Sequence, residues 1–345
     1  MPNFTVEVAR LNQAARQLPL IVNRYHDFND DHAQNRLKSS ALDTFAARKL
    51  GQQFWRRACS DVQQGGLDDR PLYWGRLALI EALSHLHGEL IAQEFDRASR
   101  NLSVGEFDQP EIVLTGFDPF RLDSQLDQCN PSGIFALALD GLKVHRMRIR
   151  TMIFPVRYAD FDARCVEDAL TPILNYGTTR LVITASMGRD GFDLERFPAK
   201  CRGSSQADNA GVDITQCMPR FKPPLDGPDF LEFSLPATAL LESVQGGPNA
   251  RITDNRQVAT IDKGVMTATN LNDLAQERAL AGSGGNFLSN EISYRALRRQ
   301  SELGTTVPLG HIHVPRIEGY DLKRINRDFY AFHDFVTKLA QLVVK

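Results

Sequence analysis

Short apolar runs alternate with helix-like segments over the last two thirds of the chain, and this alternation constrains the fold more than any other feature. Residues 111–116 and 180–185 are apolar runs that lead into glycine-containing loops, as buried strands do. Residues 145–156 also suit a strand, and residues 132–140 and 162–175 suit helices. Strands that alternate with helices predict an α/β domain with a mainly parallel sheet, whose functional groups collect at the carboxyl ends of the strands.

The first 105 residues have a different pattern, in which apolar residues recur at steps of three and four. Three such series are Leu11, Ala15 and Leu18; Leu37, Ala41 and Phe45; and Leu77, Ile80 and Leu83. We therefore predict a helical N-terminal extension over residues 1–105 and an α/β domain over residues 106–345. The extension has no clustered carboxylates or histidines, which favours a packing or oligomerisation module over a regulatory or substrate-gating one.

Several later segments are less regular. Residues 203–230 and 244–258 are rich in Gly, Asp and other turn-forming residues and are predicted to be loops or insertions. The sequence of residues 289–300 is typical of a helix, for which Ser289 is a suitable N-cap residue. The stretch 321–344 predicts a C-terminal helix.

The composition excludes several classes of function. Forty Lys and Arg against 42 Asp and Glu give a net charge of −2, which provides no electrostatic case for binding nucleic acid or an anionic membrane. The chain has no apolar run long enough to span a bilayer, and its first residues do not resemble a signal peptide. The five cysteines are odd in number and irregularly spaced, which predicts reduced thiols in a cytoplasmic protein, without a disulfide frame or zinc site. They are Cys59, Cys129, Cys165, Cys201 and Cys217.

Polar residues concentrate at three places where strands are expected to end. They are residues 115–120, residues 188–196, and the pair of segments 282–290 and 310–315. Ser289 follows a Gly-rich loop at a predicted helix start, where free backbone N–H groups could bind a phosphate or an oxyanion. The loop lacks the lysine of the phosphate-binding motif GxxxxGK[ST], and the residues around Ser289 do not match the GxSxG motif of serine hydrolases. A serine nucleophile needs a base and an orienting carboxylate, for which His313 and Glu195 are candidates.

The order of these motifs resembles that of the pyroglutamyl peptidase I (pyrrolidone carboxyl peptidase) family of cysteine peptidases. The motifs that carry the likeness are TGFDPF at 115–120, NPS at 130–132, FPV at 154–156, ER at 195–196 with DN at 208–209 and Gly211, LP at 235–236, GGNFLSN at 284–290 and GHIHVP at 310–315. The likeness spans residues 108–345, with extra residues in the 213–230 and 245–275 regions. It implies a three-layer α/β fold with helices on both faces of the sheet, a peptide or small acyl-amide substrate, no cofactor, and a homo-oligomer.

The resemblance also assigns a catalytic triad. The family's Glu and His fall on Glu195 and His313, and its nucleophilic Cys falls on Ser289. Cysteine catalysis of the family type is therefore absent, but a Ser-His-Glu triad is chemically complete for a hydrolase, with helix N–H groups as part of the oxyanion hole. The alternative is a non-catalytic binding or scaffold protein in which Ser289 only caps a helix.

The predicted substrate-binding residues come from the same alignment of motifs. They are Gly116, Phe117, Phe120, Arg189 and Phe287. The two phenylalanines of the 115–120 loop surround the pyroglutamyl ring in the family, although packing under a helix is an alternative for this pair.

Two departures from the family pattern predict an altered acyl group. A family Gln becomes Ala185, and a family Arg falls on Ser205, with Arg202 as an uncertain replacement. Outside these positions, Asp118 is expected to orient its loop by turn-type hydrogen bonding. His311 and His313 share one strand face but lack a third ligand nearby, so no metal site is predicted.

Overall fold

A computed structural model describes residues 5–25, 28, 42–103, 105, 109–214, 225–244 and 252–343. Its helices are α1 (Thr5–Gln17), α2 (Pro19–Val22), α3 (Thr44–Gln63), α4 (Arg70–His87), α5 (Glu89–Ser99), α6 (Pro131–Leu139), α7 (Tyr158–Asp162), α8 (Cys165–Asn175), α9 (Ala237–Val244), α10 (Leu288–Glu302) and α11 (Leu322–Val343). Its strands are β1 (Glu111–Phe117), β2 (Lys143–Val144), β3 (Met147–Phe154), β4 (Thr179–Met187), β5 (Phe192–Glu195), β6 (Ile252–Asn255), β7 (Gln257–Thr260), β8 (Gly264–Thr267), β9 (Ala279–Ala281) and β10 (Leu309–Val314).

The N-terminal helices pack closely against one another. Gly51 of α3 lies against α5, where an added Cβ would come within 2.6 Å of the Ala98 Cβ and 2.7 Å of the Phe95 carbonyl oxygen. Asp43 caps α3 by accepting a hydrogen bond from the Ala46 N–H. The predicted helical positions Leu37 and Ala41 lie outside the described residues. The other apolar series fall on helices, apart from Leu18 between α1 and α2, and the helical character of the N-terminal region is confirmed.

The main sheet has seven strands in the order β2-β3-β1-β4-β10-β5-β6. Strand β1 runs parallel to β3 and β4, β10 runs parallel to β4, and β5 runs parallel to β6. The antiparallel pairs are β2 with β3 and β10 with β5. All seven residues of β1 are buried, so both faces of this strand are covered, as in sheets with helices on both sides. The predicted α/β fold with a mainly parallel sheet is confirmed.

One hydrophobic core joins the helical region to the sheet. Phe54 and Val62 of α3 belong to the same buried cluster as Ile134 and Leu137 of α6 and the strands beneath them. The domain boundary between residues 105 and 106 therefore stays a prediction from the sequence, because a single buried apolar cluster contains residues from both sides of it.

The region predicted as an insertion contains strands. Strand β6 joins the main sheet, and β7 pairs with β8 and β9 in a small antiparallel sheet. Residues 244–258 were predicted to be a loop or an insertion, and the loop alternative is wrong for 252–258, because β-branched residues such as Ile252 and Val258 pack in buried apolar clusters there. Residues 215–224 and 245–251, which belong to the expected insertions, lie outside the described residues.

The cysteine prediction needs a correction. Cys59, Cys129 and Cys165 are free, Cys201 is disulfide-bonded, and Cys217 lies outside the described residues. The odd count excludes only the pairing of all five cysteines and says nothing against one bridge, so it does not support a reducing compartment. Among the described residues, no helix has both the length and the apolar character needed to cross a membrane.

Candidate functional site

A histidine and a glutamate meet at the ends of two neighbouring strands. His313 lies on β10 and Glu195 is the last residue of β5, which pairs with β10 in antiparallel register. The His313 Nδ1 is 2.6 Å from the Glu195 Oε1, and both side chains are buried. A carboxylate at Nδ1 orients an imidazole and favours the tautomer with its proton on Nδ1, which leaves Nε2 as a proton acceptor.

The second carboxylate oxygen of Glu195 is also held. The Asn255 amide donates to the Glu195 Oε2 at 2.8 Å and to the Ser283 carbonyl at 2.9 Å. The next residue, Arg196, is fixed by an ion pair with Asp254 at 2.8 Å. Asn255 and Asp254 lie on β6, a strand that the sequence analysis did not predict, and this explains why their role was missed.

A second carboxylate and an arginine lie beside this pair. The Arg189 Nη2 is 3.3 Å from the Asp193 Oδ2 and 3.5 Å from the Glu195 Oε1, and the Arg189 side chain is 57% exposed. Burial raises the pKa of Asp193, and the nearby charge of Glu195 raises it further. Ligand atoms of Asp193, Glu195 and His313 lie within 4.8 Å of one another, which is close enough to hold a cation. Arg189 already supplies positive charge to both carboxylates of this cluster.

Ser289 lies in the first turn of α10 and does not cap it. The N-cap residue is Phe287, and Ser289 is the second residue of the helix. Its hydroxyl donates to the Gly284 carbonyl at 3.2 Å. The suggestion that Ser289 is the N-cap was therefore wrong, because the helix begins one residue earlier than predicted.

The Gly284 loop connects Ser289 to the histidine and glutamate. A Cβ built on Gly284 would be 3.7 Å from the His313 Cε1 and 3.6 Å from the Glu195 Cγ. Asn290 holds the first turn of α10 to the segment after Glu195, since its amide donates to the Ala199 carbonyl at 2.7 Å and its Oδ1 accepts from the Ala199 N–H at 2.9 Å. Both β5 and the start of α10 are thus fixed to the same short segment.

A mainly apolar cavity of about 30 Å³ adjoins Ser289. The cavity is lined by Phe117, Phe120, Asn130, Val156, Ser186, Met187, Phe287, Leu288 and Ser289. The rings of Phe120 and Phe287 stack with their centroids 6.1 Å apart. This lining includes three of the predicted substrate-binding residues but not Gly116 or Arg189. Its volume as it stands accommodates one or two waters.

The remaining predicted specificity positions lie elsewhere. Gly116 provides room for α6, because an added Cβ would meet the Ser132 backbone carbonyl. Ala185 is buried in β4, and Ser205 is exposed. Arg202 pairs with Glu291 of α10 and with Asp162 at 2.8 Å, and it is not among the residues that line the cavity.

The loop that carries Phe117 and Phe120 is fixed by the N-terminal helices. The Asp118 carboxylate is 2.8 Å from the Arg76 Nη1 of α4 and 2.6 Å from the Arg100 Nη1 just after α5. The three side chains are at most 2% exposed. The expected turn-type role of Asp118 is therefore replaced by a buried ion pair with two arginines. The signal in the sequence was an arginine at position 76, inside the otherwise apolar stretch 71–80 of this helix.

Two family models match this chain. A family model described as "PA0049 N-terminal domain" matches residues 1–104, and one described as "PA0049, C-terminal domain" matches residues 111–236 and 247–318. A Pseudomonas aeruginosa protein, "Uncharacterized protein PA0049", is 26% identical over 78% of this chain and 69% of its own. A Saccharolobus islandicus "Pyrrolidone-carboxylate peptidase" is 26% identical over 61% of this chain and 81% of its own.

Solved structures also match this chain. Pyrrolidone carboxyl peptidases from Pyrococcus furiosus and Thermococcus litoralis each superpose with a TM-score of 0.48, at 18% and 16% identity. They cover 68% of this chain and 98% and 94% of their own. Because the C-terminal domain model alone accounts for more than half of the residues, the chain belongs to the PA0049 family.

Proposed function

We propose that this protein is a hydrolase that transfers an acyl group from a peptide or small amide to water. Ser289 is the nucleophile, His313 accepts its proton through Nε2, and Glu195 orients His313. The observation that carries the proposal is the 2.6 Å contact between the His313 Nδ1 and the Glu195 Oε1, next to the loop that binds the Ser289 hydroxyl. The relative named pyrrolidone-carboxylate peptidase is a second, independent support for this class of reaction.

The reaction follows the usual two steps of acyl transfer. The Ser289 oxygen attacks the carbonyl carbon as His313 takes the hydroxyl proton, and the amine leaves with that proton when the C–N bond breaks. Water then attacks the acyl-serine, again with His313 as the base, and releases the acid. The N-cap residue of α10 is Phe287, whose side chain makes no hydrogen bond to the first turn of the helix. The backbone N–H groups of this turn are therefore suited to stabilise the oxyanion.

The acyl group occupies the cavity beside Ser289. Its walls are mostly aromatic and aliphatic, which favours a compact group without charge. Arg189 is more than half exposed and lies outside the lining, and we assign it to contact the part of a peptide that leaves. We keep Gly116 as a residue that shapes the loop and not as one that touches substrate.

The test is hydrolysis of a panel of small acyl amides of 7-amino-4-methylcoumarin. The wild type is expected to release the fluorescent amine from at least one member, and Ser289→Ala is expected to lose at least about 10³-fold in kcat/KM. Ser301→Ala, an exposed serine on the same helix, is the matched control and keeps wild-type activity. Turnover that survives in Ser289→Ala, or no turnover by the wild type on any acyl amide, overturns the proposal.

A further inference from the structure

A second histidine, His311, is completely buried two residues before His313, and two hydroxyl groups hold it. The His311 Nδ1 is 2.9 Å from the Thr184 Oγ1, and its Nε2 is 2.9 Å from the Ser186 Oγ. Both partners lie on β4, which pairs with β10 in parallel register. The Thr184–His311–Ser186 chain therefore spans the carboxyl ends of the two central strands, beside the proposed catalytic residues.

The positions of the protons in this chain follow from its surroundings. Burial lowers the pKa of His311 well below its usual range, and His313 lowers it further, so the ring is neutral with one N–H and one lone pair. Thr184 donates its single hydroxyl proton to the Gly310 carbonyl at 3.3 Å. The Thr184 oxygen therefore accepts from the His311 Nδ1–H, and the Nε2 lone pair accepts from the Ser186 hydroxyl.

This arrangement leaves Ser186 with a defined polarity. Its proton is committed to His311, so its oxygen has only lone pairs left for any other partner. Ser186 is also one of the residues that line the cavity beside Ser289. A group in the cavity thus meets a hydrogen-bond acceptor at Ser186 and not a donor.

The other polar groups of the lining are already engaged. The Asn130 amide donates to the Asp118 carbonyl at 2.9 Å, and its Oδ1 accepts from the N–H and hydroxyl of Ser132. Ser289 is the proposed nucleophile. The other lining residues are Phe117, Phe120, Val156, Met187, Phe287 and Leu288, and among the described residues no charged side chain lines the cavity.

We propose that Ser186, positioned by His311 and Thr184, is a specificity-determining residue that accepts a hydrogen bond from the acyl group. The acyl groups selected are uncharged and carry an N–H or O–H donor. This inference rests on the proposed function, because it assigns the cavity to the acyl group. His311 and Thr184 act through Ser186 and are positioning residues.

The test uses pairs of acyl aminomethylcoumarin amides that differ in one donor hydrogen. One pair is a ring lactam and its N-methyl derivative, and another is a 2-hydroxyacyl group and its O-methyl ether. The wild type is expected to have a kcat/KM about tenfold to a hundredfold higher for the member of each pair that carries the donor hydrogen. The methylated member leaves the buried Ser186 acceptor without a hydrogen-bond partner. Ser186→Ala reduces this preference to the level set by the added methyl group, whereas Ser186→Thr, which keeps the hydroxyl, retains it.

The His311→Phe variant separates positioning from packing. Its Ser186 hydroxyl is free to rotate and donate, so the ratio of kcat/KM within each pair falls, whereas a loss of packing alone lowers kcat/KM for both members equally. An equal preference in the wild type, Ser186→Ala and His311→Phe overturns the proposal.

Binding to the Ser289→Ala protein distinguishes this proposal from the proposed function. Calorimetric titration with the same amide pairs requires no turnover. Preferential binding of the donor member, lost in a Ser186→Ala/Ser289→Ala double variant, supports the Ser186 assignment even if the wild type does not hydrolyse any amide. Equal binding of both members, or binding of neither, overturns it.

Discussion

The two arginines that hold Asp118 are equally buried, yet their removal should have very different effects on stability. The Arg76 Nη1 binds Asp118, but its Nε and Nη2 are buried without a hydrogen-bond partner in the described part of the chain. Burial lowers the pKa of Arg76, and the charge of Arg100 lowers it further. Burial acts the same way on Arg100, but Asp118 and Asp96 outweigh it and raise its pKa.

These contacts set the size of the effect. Arg76→Met removes one charged hydrogen bond, worth about 1.5–3 kcal/mol, but also removes two unsatisfied buried donors that cost about 1–3 kcal/mol each. The balance runs from a loss of about 1 kcal/mol to a gain of about 4.5 kcal/mol, so the free energy of unfolding is expected to fall by no more than about 1 kcal/mol. Arg100→Met instead removes contacts to both Asp96 and Asp118 and leaves their charges undercompensated, at a cost of about 3–5 kcal/mol.

The assay is urea unfolding at pH 7 followed by circular dichroism, with the midpoint shift multiplied by a common slope. Arg48→Met, which breaks an ion pair of a 49% exposed arginine, is the control and should cost at most about 1 kcal/mol. A loss of stability in Arg76→Met as large as that in Arg100→Met refutes the reasoning, because it means that the unsatisfied donors of Arg76 carry no cost.

Three further predictions concern the proposed active site. Gly188→Ala should lower kcat/KM about 100-fold and leave the circular dichroism spectrum unchanged. The new Cβ would lie 2.5 Å from the His313 Cγ and displace the imidazole. Wild-type activity in this variant would contradict the placement of His313. Glu195→Gln should lower kcat about 10³- to 10⁴-fold, as loss of the orienting carboxylate does in other triads, and a loss below tenfold would argue against its role. The lowered pKa of His311 predicts that stability present above the unfolded pKa of about 6.5 is lost as the pH falls below that value, whereas His311→Phe should lack this part of the loss; parallel pH profiles would contradict the assignment.

Much of the fold was readable from local patterns in the sequence. The apolar runs 111–116 and 180–185 became β1 and β4, since buried parallel strands have few residue types to choose from. The short polar strand β6 was missed, because its place at the edge of the sheet depends on pairing with β5 and not on its own apolar pattern. The disulfide at Cys201 was missed because the parity of a count carries no information about a single bridge.

The candidate site was less accessible to sequence reasoning. The motifs identified His313, Glu195 and Ser289 as candidates, but the contact between His313 and Glu195 depends on the antiparallel pairing of β5 with β10, and these two residues are 118 positions apart in the sequence. The contacts of Arg76 and Arg100 with Asp118, and of Asn255 with Glu195, likewise join distant segments. No local pattern encodes such pairings, whereas the residue types alone already suggested the chemistry.

The most direct test of the central claim is mass spectrometry of the protein after reaction with a fluorophosphonate, which forms a covalent adduct with an activated serine. The account predicts an adduct on the peptide that contains Ser289, absent in Ser289→Ala and strongly reduced in His313→Ala. A wild-type protein whose Ser289 stays unmodified, or an adduct that forms equally in the Ser289→Ala variant, would contradict it.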